Sequence, residues 1–507
     1  MRALLFLVLG FAACGSLQGD SQGDDKTLLP IEASILEDRE NFYYVDVDNY
    51  ETGDATLPIG VFDSGTGGLT VLDALVRYDQ HENESWITGA DDMADFNAEK
   101  FIYLADQANM PYGNYHAEGK TDLLLEHIIK DAQFMLGNNY YENATAKVPK
   151  TDKQHIKALV IACNTATAYG QEHIDAFIEK TGLDIPVVGV INAGALGTLE
   201  HFQKDEDGSI GVFATVGTIA SKGYENTLLE MAADLGYKGD IQIYNQGGHG
   251  VAEAVDEEQD FIDRSATQPR NSYRGPSLEN NDYLIDRTLM DVYNFDFDHN
   301  KMLCDSENTD DCTILQINSP DNYVRYHLVS MMEKIRNNPN AKPLKALVLG
   351  CTHYPYLTSE INEILEDLYD YQRDGDYIYR NIMDDDIQII DPAEHVAKEL
   401  FDILEERDLF NKEGSMANSE FFISVPNLDN KNVQLGDDQR FTYDYKYGRN
   451  AGEIQEYVKV VPFSKENISD DILERLRASI PETYKLIHAF NAESAKVADL
   501  SDENRIR

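Results

Sequence analysis

Two stretches of this chain, Lys157-Ala158-Leu159-Val160-Ile161-Ala162-Cys163 and Lys345-Ala346-Leu347-Val348-Leu349-Gly350-Cys351, are near copies of each other. Each is a short apolar run that ends in a cysteine, and hydrogen-bonding residues follow the cysteine at once. Apolar runs of this length that are rich in β-branched residues are typical of buried strands. Because ligands bind just beyond the carboxyl ends of strands in parallel α/β sheets, the two copies predict two thiols that face one cleft.

The rest of the body alternates between strand-like and helix-like segments. Apolar runs at 59–62, 101–104, 186–190, 210–214, 241–244 and 387–390 are separated by stretches with helical character, one of them at 250–262. Alternation of this kind indicates βαβ units and parallel sheets, and therefore an α/β fold. Two segments fall outside the pattern. Residues 264–322 read as a surface insertion, and residues 463–507 read as a helical extension.

The composition limits the classes of partner that the protein is expected to bind. The chain has 507 residues, and 91 acidic against 42 basic side chains give a formal net charge of −49. Such a field repels nucleic acid and anionic membrane surfaces, so neither is expected as a partner. Past the N-terminus, no segment is apolar for long enough to predict a membrane-spanning helix.

The N-terminal residues 1–19 have the pattern of an export signal. Arg2 precedes an apolar run, and the run ends at Cys14 in a sequence that resembles a bacterial lipobox. We therefore expect a periplasmic protein or a lipoprotein anchored to the membrane through Cys14. An ordinary cleaved signal, or a chance apolar start on a cytoplasmic protein, remain as alternatives. Residues 20–56 read as an acidic tether, in which 42–45 could add a short edge strand.

Two of the five cysteines flank a short acidic loop. Cys304 and Cys312 lie on either side of residues 305–311. In an exported protein this pair predicts a disulfide. A metal site is less favoured, since no second Cys or His pair lies nearby at ligand spacing.

A glycine-rich turn follows the first predicted strand of the body. The sequence Phe62-Asp63-Ser64-Gly65-Thr66-Gly67-Gly68-Leu69 joins that strand to the start of a helix. Such a turn presents backbone N–H groups and the positive end of a helix dipole to an anion. Thr70 stands where a dinucleotide-binding loop has its third glycine. A carboxylate-binding turn, with Asp63 and Ser64 reaching the ligand, fits the residues better.

Taken together these motifs resemble the glutamate racemase family, whose members interconvert L- and D-glutamate without a cofactor. The matches occur in the family's order: 62–69, Pro111-Tyr112-Gly113, Cys163-Asn164-Thr165 and 350–355, with weaker ones at 214–224 and 391–394. The resemblance implies two doubly wound flavodoxin-like domains that face each other across a central cleft. We place the first domain at 57–192 plus 385–462 and the second at 193–384.

The resemblance also implies the roles of individual residues. Cys163 and Cys351 would be the two acid/base residues, Asp63 would assist the first and His353 the second. The substrate's carboxylates and amine would be held by residues of the same motifs: Asp63, Ser64, Tyr112, Gly113, Asn164, Thr165, Thr352 and His353. No pyridoxal cofactor and no metal are implied. The expected partner is a small amino acid, and a homodimer is left open.

One family position is ambiguous in this chain. Relatives carry a catalytic-side Glu after the segment that matches Ile243, and Asp256 aligns best with it, with Glu253 and Glu257 as rivals. Two other functions stay open: a related cysteine-dependent isomerase or decarboxylase on another small acid, and a periplasmic binding lipoprotein without turnover. Export itself conflicts with peptidoglycan synthesis, because D-glutamate for the cell wall is used in the cytoplasm. An exported enzyme would instead act on D-amino acids from wall debris.

Overall fold

The structure of the protein is a computed structural model that describes residues 28–83 and 85–507. The predicted signal peptide at 1–19, including Cys14, lies outside the described residues.

Six strands form the first sheet, in the order β14-β13-β2-β1-β3-β4. All neighbours pair in parallel except β13 and β14, which are antiparallel. The strands are β1 (Ile59–Asp63), β2 (Phe101–Ala105), β3 (Ala158–Ile161), β4 (Val187–Gly189), β13 (Glu420–Pro426) and β14 (Val458–Pro462).

Four parallel strands form the second sheet, in the order β12-β9-β5-β6. They are β5 (Gly208–Ala214), β6 (Ile241–Gly247), β9 (Leu344–Gly350) and β12 (Met383–Ile390). Two small antiparallel hairpins pair β7 (Met302–Cys304) with β8 (Leu315–Ile317), and β10 (Gln372–Arg373) with β11 (Asp376–Tyr377).

Helices cover both faces of each sheet, as the doubly wound prediction requires. The helices are α1 (Pro30–Leu36), α2 (Leu69–Arg77), α3 (Thr121–Leu136), α4 (Asn164–Thr181), α5 (Val190–Glu200), α6 (Val216–Ser221), α7 (Gly223–Asp234), α8 (Val251–Val255), α9 (Met290–Tyr293), α10 (Pro320–Arg336), α11 (Thr358–Asp370), α12 (Ala393–Glu406), α13 (Tyr443–Gly448), α14 (Asp470–Ser479) and α15 (Pro481–Glu493). Helices α2, α12, α14 and α15 bury one face of the first sheet, and α1, α3 and α4 bury the other. The second sheet is packed between α8, α10 and α11 on one side and α5 and α7 on the other. The α/β fold is therefore as expected.

The chain crosses between the two halves twice. It leaves the first sheet after β4 and returns after β12, because β12 pairs with β9 of the second sheet. The boundary predicted at 384/385 is thus too early, and the return falls after Ile390. The two crossings lie side by side, since α5 packs against α12.

Residues 28–56 do not behave as the tether predicted for 20–56. Helix α1 forms there, and Ile31, Ile35, Tyr43 and Val45 are buried against the face that carries α3. No strand forms at 42–45, because these side chains pack onto helices instead of extending a sheet edge. The apolar residues among the acidic ones therefore belong to the core.

The two segments outside the predicted pattern are also packed into the body. In 264–322, the side chains of Val292, Phe295 and Ile317 join the core of the second half. In 463–507, helices α14 and α15 form as expected, but their apolar faces complete the core of the first half. Within the described part of the chain no helix is long and apolar enough to cross a membrane.

Candidate functional site

Both repeated cysteines lie where the chain leaves a parallel strand. Cys163 follows β3 and caps α4, and Cys351 follows β9. The two side chains are each only 5% exposed and line one cavity between the halves. The cavity also touches residues of all four strong motifs: Ser64, Tyr112, Gly113, Asn164, Thr165, Thr352 and His353. The structure thus brings the two thiols and residues of the four motifs together in one place.

The cavity is closed. Its volume is about 20 Å³, enough for roughly one water molecule. An amino acid cannot enter without separation of the two halves. The structure is therefore a closed state, in which the cleft walls contact one another.

Cys163 is held by the start of its own helix and by the glycine-rich turn. Its Sγ accepts the Ala166 N–H at 3.4 Å, and its thiol donates to Ser64 Oγ at 3.6 Å. Burial raises the pKa of the Cys163 thiol well above its usual value, and the nearby Asp63 carboxylate raises it further. In the closed state Cys163 is a protonated thiol, ready to donate a proton.

Asp63 organises the glycine-rich turn. Its Oδ2 accepts the backbone N–H groups of Gly65 at 3.1 Å and Gly68 at 2.9 Å. Burial nevertheless raises the pKa of the Asp63 carboxyl, against the opposing effects of His353 and these two N–H groups. Thr352 Oγ1 of the other half lies 3.5 Å from Asp63 Oδ1. Asp63 therefore stands between both halves and beside Cys163.

The turn approaches the second cysteine motif so closely that only a glycine fits at one position. A Cβ on Gly67 would lie 2.6 Å from the His353 ring and 2.6 Å from Thr352 Oγ1. Thr70, one turn further along the chain, donates a 3.3 Å hydrogen bond to the Thr352 carbonyl. The turn predicted to bind a carboxylate is thus packed directly on the Cys351 motif.

Cys351, His353 and Asp256 form a chain of contacts. The Cys351 Sγ lies 3.7 Å from His353 Nδ1, and His353 Nε2 lies 3.3 Å from Asp256 Oδ2. Burial lowers the pKa of His353, but Asp256 and Cys351 outweigh it and hold that pKa well above its usual value. His353 is therefore an imidazolium at neutral pH and can exchange a proton with the Cys351 sulfur.

Asp256 is fully buried and ionised. Although burial opposes its charge, His353, Arg475 and a hydrogen bond from Gln107 keep the pKa of Asp256 well below its usual value. The Gln107 Nε2 lies 3.2 Å from Oδ2, and an Arg475 nitrogen lies 2.9 Å from Oδ1. Asp256 is thus the fixed anion of the site.

The structure separates Asp256 from its two rivals. Glu253 accepts a hydrogen bond from Asn114 at 3.3 Å, and Glu257 pairs with Arg264 at 2.7 Å. The helix predicted over 250–262 was wrong in length, because α8 ends at Val255. The chain turns at that point, and the turn directs Asp256 into the cleft instead of along a helix face.

The substrate-binding residues expected from the resemblance line the cavity, except Asp63, which lies behind it, and several of their polar groups have protein partners. The Asn164 Oδ1 accepts the Tyr224 hydroxyl at 2.6 Å, and Thr165 Oγ1 lies 2.9 Å from Thr215 Oγ1 and 3.1 Å from Thr218 Oγ1. These contacts join the halves across the cleft, so opening exchanges them for water or ligand.

Tyr112 differs from the expectation. Its hydroxyl lies 2.6 Å from carboxylate oxygens of both Asp106 and Asp131. One hydroxyl hydrogen serves only one acceptor, so one acid must be protonated. Burial and the Asp106 charge raise the pKa of Asp131 well above its usual value. In the closed state the Tyr112 hydroxyl is committed to this acid pair.

Three residues of the site escaped the sequence analysis: Thr66, Gln107 and Arg475. The side chains of all three reach Asp256. Thr66 lies within the quoted turn, but Gln107 and Arg475 lie in no recognised motif. Arg475 comes from the C-terminal helix α14, more than 200 residues from its partner, so no local spacing could have signalled it.

Among the described residues, no group of three or more His, Cys, Asp and Glu side chains is arranged to hold a metal ion. The functional groups that line the cavity are thiols, hydroxyls, an amide and an imidazole, and the Asp63 and Asp256 carboxylates lie directly behind them. Thiols, carboxylates and imidazoles are groups that move protons.

Sequence comparison finds relatives that match most of the chain. The glutamate racemase of Oceanobacillus iheyensis is 25% identical over 364 residues, which cover 72% of this chain and 85% of the relative. The enzyme of that name from Thermoanaerobacter pseudethanolicus is 27% identical over 367 residues, which cover 72% of this chain and 88% of the relative. A shorter match, to the glutamate racemase of Enterococcus faecalis, reaches 38% identity over 167 residues, 33% of this chain and 45% of the relative.

The chain is related in sequence to the glutamate racemases over most of its length. No protein-family model matches it. Among solved structures, a glutamate racemase from Bacillus anthracis matches with a TM-score of 0.41 and 22% identity, over 72% of this chain and 86% of that one. A glutamate racemase from Francisella tularensis in complex with D-glutamate matches with a TM-score of 0.39 and 19% identity, over 78% and 95%.

This relationship supports an isomerase of the racemase type. Outside the cavity, Cys304 and Cys312 form a disulfide bond, with their sulfurs 1.99 Å apart.

Proposed function

We propose that this protein interconverts L- and D-glutamate without a cofactor, by proton transfer at the α-carbon between two thiols. The observation that carries the proposal is the pair Cys163 and Cys351, which extend from the two halves into one cavity. The names of the relatives, all glutamate racemases, support glutamate as the substrate.

The reaction needs one thiolate and one thiol on opposite faces of the α-carbon. In one direction the Cys351 thiolate takes the α-proton, and the electron pair of the broken C–H bond stays on carbon. The Cys163 thiol then donates its proton to the other face. The enantiomer leaves with Cys351 as the thiol and Cys163 as the thiolate. The reverse reaction restores the first state.

The residues behind each thiol suit these roles. Burial keeps the Cys163 thiol protonated in the closed state by raising its pKa, which supports Cys351 as the base in that state. The His353 imidazolium balances the charge of a thiolate at Cys351, and the buried Asp256 keeps His353 protonated. On the other side, N–H groups of the glycine-rich turn other than those of Gly65 and Gly68, which Asp63 accepts, can stabilise negative charge that develops on the substrate's carboxylate.

The test is proton NMR of L-glutamate in D₂O with the purified protein under reducing conditions. We expect the Cα–H signal to disappear and D-glutamate to accumulate. Cys163→Ala and Cys351→Ala should each abolish racemisation, and the disulfide variant Cys304→Ser/Cys312→Ser is the matched control for loss of sulfur elsewhere. Absence of exchange with glutamate at high protein concentration would refute the proposal. Exchange with another small acid would redirect it to a related substrate.

A further inference from the structure

The C-terminal helix α14 is anchored in the first half of the molecule. Ser469 caps its first turn by accepting the Ile472 N–H at 3.3 Å, and Ile472, Leu473 and Leu476 are buried in the core beneath the first sheet. Arg475 lies at the edge of this buried face. The position of this arginine is therefore fixed by packing of the first half.

The Arg475 guanidinium leaves its own half and contacts the other. One nitrogen lies 2.9 Å from Asp256 Oδ1, and another donates to the Val255 carbonyl. Thr66 Oγ1 lies 3.4 Å from the first nitrogen, and the Tyr356 ring centroid lies 5.0 Å from the guanidinium carbon. The side chain is only 19% exposed and its partner Asp256 is fully buried, so solvent screens this pair weakly.

The two oxygens of Asp256 have separate tasks. Oδ1 receives Arg475, while Oδ2 faces His353 and accepts from Gln107. A charge-assisted hydrogen bond to one oxygen fixes the rotation of the carboxylate and therefore the place of the other. Because Arg475 belongs to the first half and Asp256 to the second, the pair can form only when the cleft is closed.

We propose that Arg475 is a positioning residue that holds the Asp256 carboxylate toward His353 when the cleft closes and releases it when the cleft opens. This proposal rests on the proposed function, since the reaction at Cys351 is what it serves. The C-terminal segment then contributes to the chemistry. Closure of the cleft over substrate also places the Asp256 charge against His353, next to Cys351.

The charge of Arg475 reaches His353 through Asp256. The ionisable groups that face His353 or its partner are Asp63, Cys351, Asp256, Tyr356 and Arg475. Removal of the arginine frees the Asp256 carboxylate to turn away from His353, and His353 then loses contact with the anion that keeps its pKa high. The pKa of His353 should therefore fall.

The experiment compares Arg475→Met, Arg475→Lys and the matched control Arg477→Met, which alters an exposed arginine of the same helix. The full chain is labelled with ¹³C-histidine, and His353→Asn identifies the His353 resonance. Two readouts are taken across pH: the titration of that resonance, and the rate of α-proton exchange on glutamate.

For Arg475→Met we expect the exchange rate to fall roughly 10- to 100-fold, as misplacement of a supporting group does. The His353 titration should move to lower pH by about one unit, and the matching limb of the pH–rate profile should move with it. Arg475→Lys should keep the His353 titration and the pH–rate limb near their wild-type positions, because it retains the positive charge. Arg477→Met should leave both readouts unchanged.

A slower Arg475→Met enzyme whose His353 titration and pH–rate limb are unmoved would overturn the proposal, because Arg475 would then act only on stability. If Arg475→Met does not fold, the same comparison is made between Arg475→Lys and Arg475→Gln. If the wild-type protein does not exchange glutamate, the proposed function fails, and the His353 titration still decides whether Arg475 controls this histidine.

Discussion

At the residue scale, the site is a set of charges whose balance depends on burial. The two cysteines are equivalent in sequence, but their surroundings differ. An acid whose pKa is raised lies beside Cys163, and an ion pair lies beside Cys351. An acid and a base that exchange roles must be similar groups in different surroundings.

The ion pair of His353 and Asp256 predicts how stability depends on pH. The pKa of His353 is raised by folding, so its contribution is fully present below about pH 6.5 and is lost as pH rises through the folded value. The lowered pKa of Asp256 makes its own contribution present above about pH 4 and constant across the neutral range. We therefore expect the free energy of unfolding to fall from pH 6 toward pH 10.

Denaturant unfolding across this pH range checks the expectation, with His353→Asn and His173→Asn as a pair of variants. His173 is exposed. The difference in stability between wild type and His353→Asn should shrink as pH rises, while the difference for His173→Asn should stay flat. A constant difference for His353→Asn would show that the ion pair adds no stability.

The residues of the site were predicted from the sequence only where they lie in local motifs. Cys163, Cys351 and His353 stand at strand ends, where the pattern itself indicates a function. Asp256 was selected among three acids only by alignment, because nothing local shows where α8 ends. Arg475 lies on an amphipathic helix and reads as a surface residue, so only the packing of that helix reveals its contact.

At the scale of elements, the glycine-rich turn sets the distance between the halves. Gly67 lies against the His353 ring and Thr352, with no room for a side chain. A methyl group at this position must displace either the turn or the histidine. The turn is therefore a spacer for the closed cleft in addition to its expected role in carboxylate binding.

Gly67→Ala should weaken the closed state and slow exchange on glutamate. We expect a loss of about 1–3 kcal/mol in the free energy of unfolding from overpacking, and a larger relative effect on the exchange rate than on stability. The matched control is Gly448→Ala, where no atom lies within 4 Å of the added Cβ. Equal effects of both substitutions would contradict a spacer role for Gly67.

The secondary-structure elements show which features a single sequence does not predict. Periodicity predicted the run 387–390 as a strand, and β12 is there, but no pattern states which sheet a strand joins. Its pairing with β9 depends on long-range packing across the whole second sheet. For the same reason, the composition of residues 28–56 predicted a tether. The segment has a few apolar side chains among many acidic ones, and its composition does not show that these apolar side chains pack against helices elsewhere in the chain.

At the scale of the whole molecule, the net charge of −49 affects both the stability of the fold and the approach of substrate. Like charges on one surface repel each other, and this repulsion weakens the compact state and the approach of an anionic substrate. Salt shortens the range of the repulsion, from about 30 Å at 0.01 M to about 3 Å at 1 M.

We therefore expect the melting temperature to rise and the KM for glutamate to fall as NaCl increases from low to high concentration. Calorimetry and the exchange assay measure the two effects, and KCl at equal ionic strength is the control for effects of a particular ion. Stabilisation by sulfate but not by chloride would indicate exclusion of the salt from the surface instead of screening. A KM that does not change with salt would show that the charge is remote from the cleft.

The path of the chain also has a consequence for its synthesis on the ribosome. Strand β2 pairs with β13, and β13 begins more than 300 residues later, after the whole second half has been made. At ~5–20 residues per second, roughly 15 to 60 s separate the two strands. During that time the first half exposes an open strand edge and an uncovered core, while the second half, a single continuous segment, can already fold. Newly made chains should therefore depend on chaperones for their N-terminal part, and ribosome-bound chains that end before β13 should be cut by proteases in the first half and be resistant in the second.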